Sequence, residues 1–474
     1  MIFWVLLPVV IFTLAGVVYI YSTRRQLQTV DDFLTARQTL TIWPAVATVL
    51  ASIMGAWILF SPAESGAWGG LTAFGGYAVA QALVIILYSV LGPRLRQLAP
   101  HGSTLPEYVY YRYGKGMYAV VLVVSVFYMA VFLAAELTGI ALAVFLVTGN
   151  PLWVTALLVG GGTLIYTTYG GIRGTIFTDT IQTFIFLPTL LLAFIGTTLA
   201  LGGAGNIVYR VRQVDSSLLS LGHVGAWQFT ATLIIAVIAA NLFHQGFWSR
   251  VYSCRDDATV RKSFLIAGLL IVPIVMIAGS FGLMAVAEGT LASPSSALFE
   301  VVLNVTPSWV INVVLILAIA LVMSSADTLI NGIASVFTVD IARFSKGIGR
   351  NQLLSAARII TGAICAAAIL VASRGYSVLY LFFVADLVCA AAVFPTFYGF
   401  YSRHYPGWAA VSSTLAGIFA GLLFFPNPAF TRGNLLFSFA IAFFIPVALT
   451  LVLGRSGLPI DLDGLGEKIH DVKF

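Results

Sequence analysis

The sequence predicts an all-α integral membrane protein with thirteen transmembrane helices. They are expected to form a five-plus-five inverted repeat, with one helix before it and two after it. Three observations lead there. Of the 474 residues, 60% are hydrophobic and only 9% charged, too little charge to cover a soluble surface. The apolar residues gather into stretches of about 18 or more, enough to cross a ~30 Å hydrocarbon core as a helix. The basic residues fall between those stretches with a strong bias to one side. So many spans leave no length for a sizeable soluble domain, and residues 1–474 read as a single membrane domain.

The expected spans are about 3–21, 41–62, 71–92, 118–147, 151–169, 175–200, 226–248, 262–287, 308–342, 353–373, 376–401, 407–425 and 433–453. The first has no basic residue before it and no small-residue cleavage site after it. Arg24 and Arg25 follow it directly, as befits a retained helix with its N-terminus outside. Alternating sides from there places twenty of the 24 Lys and Arg in inner loops, among them Arg37, Arg250, Arg255, Arg343, Lys346, Arg350, Arg455, Lys468 and Lys473. Outer loops hold only Arg210, Arg212, Arg374 and Arg432. The net charge of +6 therefore reads as membrane orientation and not as an affinity for nucleic acid. The C-terminus is expected in the cytoplasm and the protein in the plasma membrane. Cys254, Cys365 and Cys389 have no metal or disulfide spacing and read as packing residues.

Spans two to six and seven to eleven begin on opposite sides of the membrane, the geometry of an inverted repeat. Repeat one covers about 41–200 and repeat two about 226–401. The second and seventh spans are then matching helices. Both carry polar or small residues near mid-membrane: Ala51-Ser52-Ile53-Met54-Gly55, and Asn241 followed by His244-Gln245-Gly246. Interrupted helices at matching places are the best sequence pointer to a substrate site. Asn241, His244 and Gln245 are therefore cavity candidates. His244 has no partner at metal-ligand spacing and reads as a cavity or gate residue. Gly160-Gly161-Gly162 follows no strand and suits close helix packing rather than phosphate binding.

Charges at membrane depth are costly and usually functional. Four acids qualify: Glu136, Asp179, Asp327 and Asp386. No Lys or Arg is expected deep in any span, so each is either protonated or met by a cation. Ser324, Asp327 and Thr328 are spaced i, i+3, i+4 and put three oxygen-bearing side chains on one helix face. Oxygen ligands suit a hard cation such as sodium. Asp179, beside Thr178, falls at a similar depth on another helix. The plainer readings are hydroxyls that bond the preceding turn and, for Asp179, an acid at a helix start. Glu136 is either bonded to a neighbouring hydroxyl or exposed to the cavity. Asp386 reads as a structural acid. No nucleophile–base set or metal motif points to an enzyme.

Three motifs resemble the sodium:solute symporter family. One is Tyr169-Gly170-Gly171-Ile172-Arg173-Gly174-Thr175, continuing through Thr178 and Asp179 to Gln182. The second is Met323-Ser324-Ser325 with Asp327-Thr328. The third runs from Gly246 to Asp257 and includes Trp248, Arg250 and Asp256. The resemblance implies the leucine-transporter type of inverted-repeat fold. It also implies a main sodium site made by the carbonyls of Ala51, Met54 and Leu321 and the hydroxyls of Ser324 and Ser325. A second sodium site would fall on Asp179, Asp327 and Thr328, with Ser324 close by. Some amino-acid-transporting members carry an acid where Ile53 stands, which argues against proline. The stretches Ala99-Pro100-His101 to Glu107 and Arg112-Tyr113-Gly114 resemble the urea and polyamine branch. A chain ending at Phe474 is not expected to carry the attached kinase domain of some relatives.

The expected function is sodium-coupled symport, importing a small polar organic solute by alternating access. The alternatives are a proton-coupled symporter of the same fold and a membrane sensor that binds solute without moving it. The expected partners are sodium, the solute and the lipid bilayer, with no nucleic acid and no obligate protein partner.

Overall fold

The computed structural model describes residues 3–23, 35–291, 293–344, 350–428, 431–454 and 456–469. Arg24, Arg25, Lys346, Arg455 and Lys473 lie outside the described residues, as do the side chains of Tyr169, Gly170, Gly171, Arg343 and Arg350. Within them the chain is helical. The helices are α1 (Phe3–Thr23), α2 (Ile42–Ile53), α3 (Trp57–Leu98), α4 (Leu105–Tyr113), α5 (Lys115–Thr148), α6 (Leu152–Ala200), α7 (Ala204–Val214) and α8 (Val224–Asn241). They continue with α9 (Gln245–Ser253), α10 (Asp257–Glu288), α11 (Ala297–Val305), α12 (Ser308–Phe344), α13 (Arg350–Ala372), α14 (Val378–Tyr398), α15 (Gly407–Leu422), α16 (Leu435–Leu453) and α17 (Leu465–Lys468). Among the described residues, nine helices are long and apolar enough to cross a membrane, and five shorter apolar helices accompany them.

The expected spans fall on these helices, but the breaks differ. The span expected at 41–62 stops at Met54, whose ψ of 108° is extended, and resumes in α3. That helix then runs on through the span expected at 71–92, turning at Gly70. Gly70 has φ +60° and ψ −151°, a conformation open to glycine. The Leu218 carbonyl fills the place where a Cβ would stand. The span expected at 226–248 likewise divides into α8 and α9 across residues 242–244. Helix α6 carries both spans expected at 151–169 and 175–200. Its 49 residues would measure about 73 Å if straight, more than twice a bilayer core.

Burial ranks the helices. The most apolar stretch of α12 is 78% buried, against 22% for α13 and 28% for α16, so α12 is the central helix and the other two are peripheral. Glycines allow the closest contact, where Gly66 of α3 meets the Gly279 backbone and Gly282 of α10 meets the Ala63 carbonyl, as small residues do between membrane helices. Arg112, 1% exposed, fastens α4 to the α14–α15 turn. Its guanidinium donates to the carbonyls of Gly399 (3.1 Å), Ser402 (2.6 Å) and Tyr405 (3.1 Å).

Candidate functional site: two helix breaks joined to a buried polar cluster

A helix that stops in a membrane leaves backbone groups that need partners. The two breaks solve this in parallel. After the first, the indole N–H of Trp57 donates to the Ile53 carbonyl (2.7 Å). After the second, the indole N–H of Trp248 donates to the Leu242 carbonyl (2.8 Å), and the Tyr88 hydroxyl to the Asn241 carbonyl (2.7 Å). The start of α3 is met by Glu136, whose Oε2 accepts from the Ala56 N–H at 2.5 Å. A carboxylate at a helix N-terminus is favoured by the dipole as well as the bond. A Cβ at Gly55 would meet the Glu136 carboxylate, so a larger residue there must displace it. At the start of α9, His244 Nδ1 accepts from the Gly246 N–H at 3.1 Å. His244 thus caps a half-helix.

Helix α12 sends two adjacent hydroxyls to two carboxylates. Ser325 Oγ lies 2.6 Å from Glu136 Oε2 and also 3.2 Å from its own Leu321 carbonyl. Ser324 Oγ lies 2.6 Å from Asp179 Oδ1 on α6 and 3.1 Å from the Ala51 carbonyl at the end of α2. A serine hydroxyl has one proton, so it satisfies one acceptor and faces the other with a lone pair. The structure therefore brings Ala51, Ser324 and Asp179 together, and separately Leu321, Ser325 and Glu136. Met54 is fully buried at the first break, and its N–H bonds the Leu50 carbonyl.

The expected second cluster assembles with an addition. Thr178 Oγ1 donates to Asp327 Oδ2 at 2.8 Å, and the Tyr166 hydroxyl to the same oxygen at 2.9 Å. Thr328 Oγ1 is 3.4 Å from Asp327 Oδ1. The expectation that no basic residue lies deep is overturned by Arg250. It was placed in an inner loop, yet it sits on α9 at 1% exposure, with its Nη2 2.6 Å from Asp179 Oδ2. The same guanidinium donates to Thr328 Oγ1 (2.9 Å), Thr48 Oγ1 (2.9 Å), the Thr48 carbonyl (3.2 Å) and the Gly246 carbonyl (3.0 Å). Thr48 Oγ1 in turn donates to Asp179 Oδ2 at 2.6 Å. Arg250, Thr48 and Tyr166 were the site residues that sequence reasoning missed. For Arg250 a signal existed: it follows an interrupted helix by one turn, four residues after Gly246.

Two carboxylates and one guanidinium leave the cluster one negative charge in excess. A sodium ion would balance it, and so would a proton.

A cavity lies between the two breaks. Ile53 and Trp57 border it from the first break and Asn241 from the second, with Gln81, Tyr128 and Asp386 among the other lining residues. Asn241 Oδ1 is 3.4 Å from the Tyr128 hydroxyl. Gln245 faces away from the cavity toward the α3–α4 turn, donating to the Ser103 carbonyl (2.8 Å) and accepting from the Leu105 N–H (3.2 Å). Glu136 likewise stays at the break and does not line the cavity. Asp386 does line it.

A model of the sodium:solute symporter family matches residues 33–417. The chain is 27% identical over 397 residues to the spermidine transporter DUR31 of Candida albicans, covering 82% of this chain and 74% of that one. It is 26% identical over 255 residues to the probable urea active transporter 1 of Schizosaccharomyces pombe, where it spans only 38% of the relative's length. It is 23% identical over 372 residues to the sodium/glucose cotransporter of Vibrio parahaemolyticus, covering 69% of this chain and 66% of that one. Among solved structures it resembles the substrate-bound outward-open state of a Na+-coupled sialic acid symporter. The TM-score is 0.77 at 20% identity, covering 97% of this chain and 98% of that one. Mhp1, a nucleobase-cation-symport-1 family transporter, matches with a TM-score of 0.58 at 12% identity, over 92% and 98% of the two chains. At these identities the structures establish the fold.

Proposed function

The chain belongs to the sodium:solute symporter family, and on that premise we propose that it imports a small polar, nitrogen-bearing solute together with sodium by alternating access. It is a multi-pass membrane transporter and not an enzyme. Spermidine and urea, named as the substrates of two of its relatives, support the nitrogen-bearing class. Thirteen crossings, repeats at about 41–200 and 226–401, an outer N-terminus, a cytoplasmic C-terminus and a plasma-membrane location complete the proposal.

One observation carries the sodium assignment. Ser324 Oγ stands between the Ala51 carbonyl and the Asp179 carboxylate with one proton for two acceptors. Surplus oxygen lone pairs turned toward one another in a dry interior are what a hard cation relieves. We place the main sodium among the carbonyls of Ala51, Met54 and Leu321 and the hydroxyls of Ser324 and Ser325. Bound there, it would join α2 to α12. It can drive transport only by binding one state more tightly than the other. At Asp179, Asp327 and Thr328 the fixed charge of Arg250 already does part of a second cation's work. A second sodium would meet the one negative charge left over.

A proton-coupled alternative has its own support. Among the described residues Asp327 accepts only from hydroxyls, those of Tyr166, Thr178 and Thr328, and a protonated Asp327 would also cancel the excess charge. Uptake of labelled putrescine into proteoliposomes separates the two. Accumulation with an inward sodium gradient, and none with potassium in its place, is expected. Equal uptake in sodium and potassium, or accumulation driven by a pH gradient alone, overturns the sodium reading.

A further inference from the structure

The cavity between the breaks holds a carboxylate that the sodium clusters do not use. Asp386 was expected to be a structural acid, and a structural acid has a partner. Among the described residues Asp386 has none: it is 6% exposed and makes no hydrogen bond or ion pair with any of them. It lines the cavity together with Trp57, Tyr77, Gln81 and Tyr128. Gln81 Oε1 is buried and likewise without a donor.

The other lining groups offer little to an anion. The Trp57 indole N–H is committed to the Ile53 carbonyl, and Asn241 Nδ2 to the Val237 carbonyl at 2.9 Å. What remains is the neutral Gln81 amide and the Tyr77 and Tyr128 hydroxyls, which can serve as donors or acceptors, and the π-faces of aromatic rings. Trp57 and Tyr77 are neighbours with ring centroids 5.4 Å apart, and Phe132 and Phe382 meet edge-on at 4.9 Å. Among the described residues no Lys, Arg or His lines the cavity. A half-helix N-terminus opening on such a cavity can hold a solute carboxylate. Here that end is already taken, because Glu136 accepts from the Ala56 N–H. A solute anion would share the cavity with Asp386, with no cation among the lining residues to offset it. A protonated amine instead meets one carboxylate, one carbonyl oxygen and several aromatic faces, each of which attracts it.

We propose that the cavity between the helix breaks binds the protonated amine of an organic cation, with Asp386 as its anionic anchor and Trp57 and Tyr77 as its aromatic wall. This rests on the symporter assignment and names the solute class it takes. Solute entry would offset the charge of the Asp386 carboxylate without a proton.

The test uses the full chain in proteoliposomes, with labelled putrescine, urea and pantothenate as cationic, neutral and anionic probes. Each is measured in sodium and in potassium, since choline is itself an organic cation that such a site would bind. Wild type is expected to take up putrescine and to leave urea and pantothenate at background. Asp386→Asn should raise the putrescine half-saturation at least tenfold, and Asp386→Glu should recover most of it. Both variants should keep the wild-type stabilisation by sodium in a thermal melt, which reports folding and the cation site separately from the solute. Preference for urea or pantothenate, or Asp386→Asn uptake within twofold of wild type, overturns the amine assignment. Putrescine uptake that is equal in sodium and potassium but lost in Asp386→Asn overturns only the coupling and leaves the amine site standing.

Discussion

Replacing Arg250 with Met should destabilise the protein more than its loss of packing explains, and adding Asp179→Asn should recover part of the loss. Arg250 and Asp179 are 1% and 0% exposed at the side chain, and their charged atoms lie 2.6 Å apart. With charge centres about 4 Å apart and an effective dielectric of about 20, their attraction is about 4 kcal/mol. Breaking a buried pair from one side typically costs about 3–5 kcal/mol, because the remaining charge is stranded. In the Met variant Asp179 keeps only the Thr48 and Ser324 hydroxyls. The double variant strands neither charge. Its cost should fall below the sum of the singles by roughly 2–4 kcal/mol. The measurement is an equilibrium unfolding cycle in mixed micelles with choline as the only monovalent cation. Repeating it in sodium adds a second readout, since sodium should stabilise the Met variant more than wild type by filling the vacated charge. Additivity of the single costs to within about 0.5 kcal/mol, with equal sodium increments in both proteins, would refute the idea that Arg250 acts as a built-in cation.

Three other outcomes follow from the same geometry. Ser324→Ala should raise the sodium half-saturation of uptake by roughly tenfold, as losing about 1.4 kcal/mol of oxygen ligation implies; Ser325→Ala should do the same, and unchanged half-saturation in both would move the sodium elsewhere. Gly55→Ala should cost about 2–4 kcal/mol of stability by driving the Glu136 carboxylate off the Ala56 N–H, and a melt identical to wild type would contradict that contact. At the N-terminus of α10, outside the membrane-spanning segments, Asp256 has its carboxyl lowered from 3.8 to about 2. The backbone N–H of Thr259 contributes most to this, then the Thr259 hydroxyl. A lowered carboxyl stabilises the fold above its ordinary value and loses that effect as pH falls through the folded one. The melting difference between wild type and Asp256→Ala should therefore be constant from pH 8 to about 5 and shrink toward pH 2; a constant difference down to pH 2 would exclude the cap as its cause.

What the sequence made legible follows the physics of the bilayer. Long apolar runs announced the helices, and Met54-Gly55 and His244 marked both breaks, because a membrane helix stops only where side chains or glycine tolerate it. Asp179, Asp327 and Glu136 were visible as costly acids. Their partners were harder to see. Arg250 sits on a nine-residue helix with Gln245, Ser249 and Ser253, and hydropathy takes such a segment for a loop. It is polar because it faces Asp179 and Thr48 inside the protein, not because it meets water. Thr48 and Tyr166 are hydroxyls within apolar runs, indistinguishable from packing residues until the facing carboxylate is known. Short helices such as α4, α7 and α11 have no long apolar run and left no signal of that kind. Asp386 looked structural because its depth says nothing about whether a partner stands opposite.

Ser324 and Ser325 are neighbours in α12, so their side chains leave the axis about 100° apart. One hydroxyl reaches α2 and α6, the other reaches α5. Angle, more than distance, is therefore what α12 controls. Sliding the helix along its axis by a fraction of a residue would stretch both contacts alike. Turning it by one residue's worth would carry Ser324 into the sector of Ser325 and point an apolar neighbour at the Asp179 carboxylate. A single alanine inserted ahead of Ser324 imposes that turn on everything N-terminal or C-terminal to it. Such an insertion probes whether torsion of this helix, rather than its tilt, sets the two contacts.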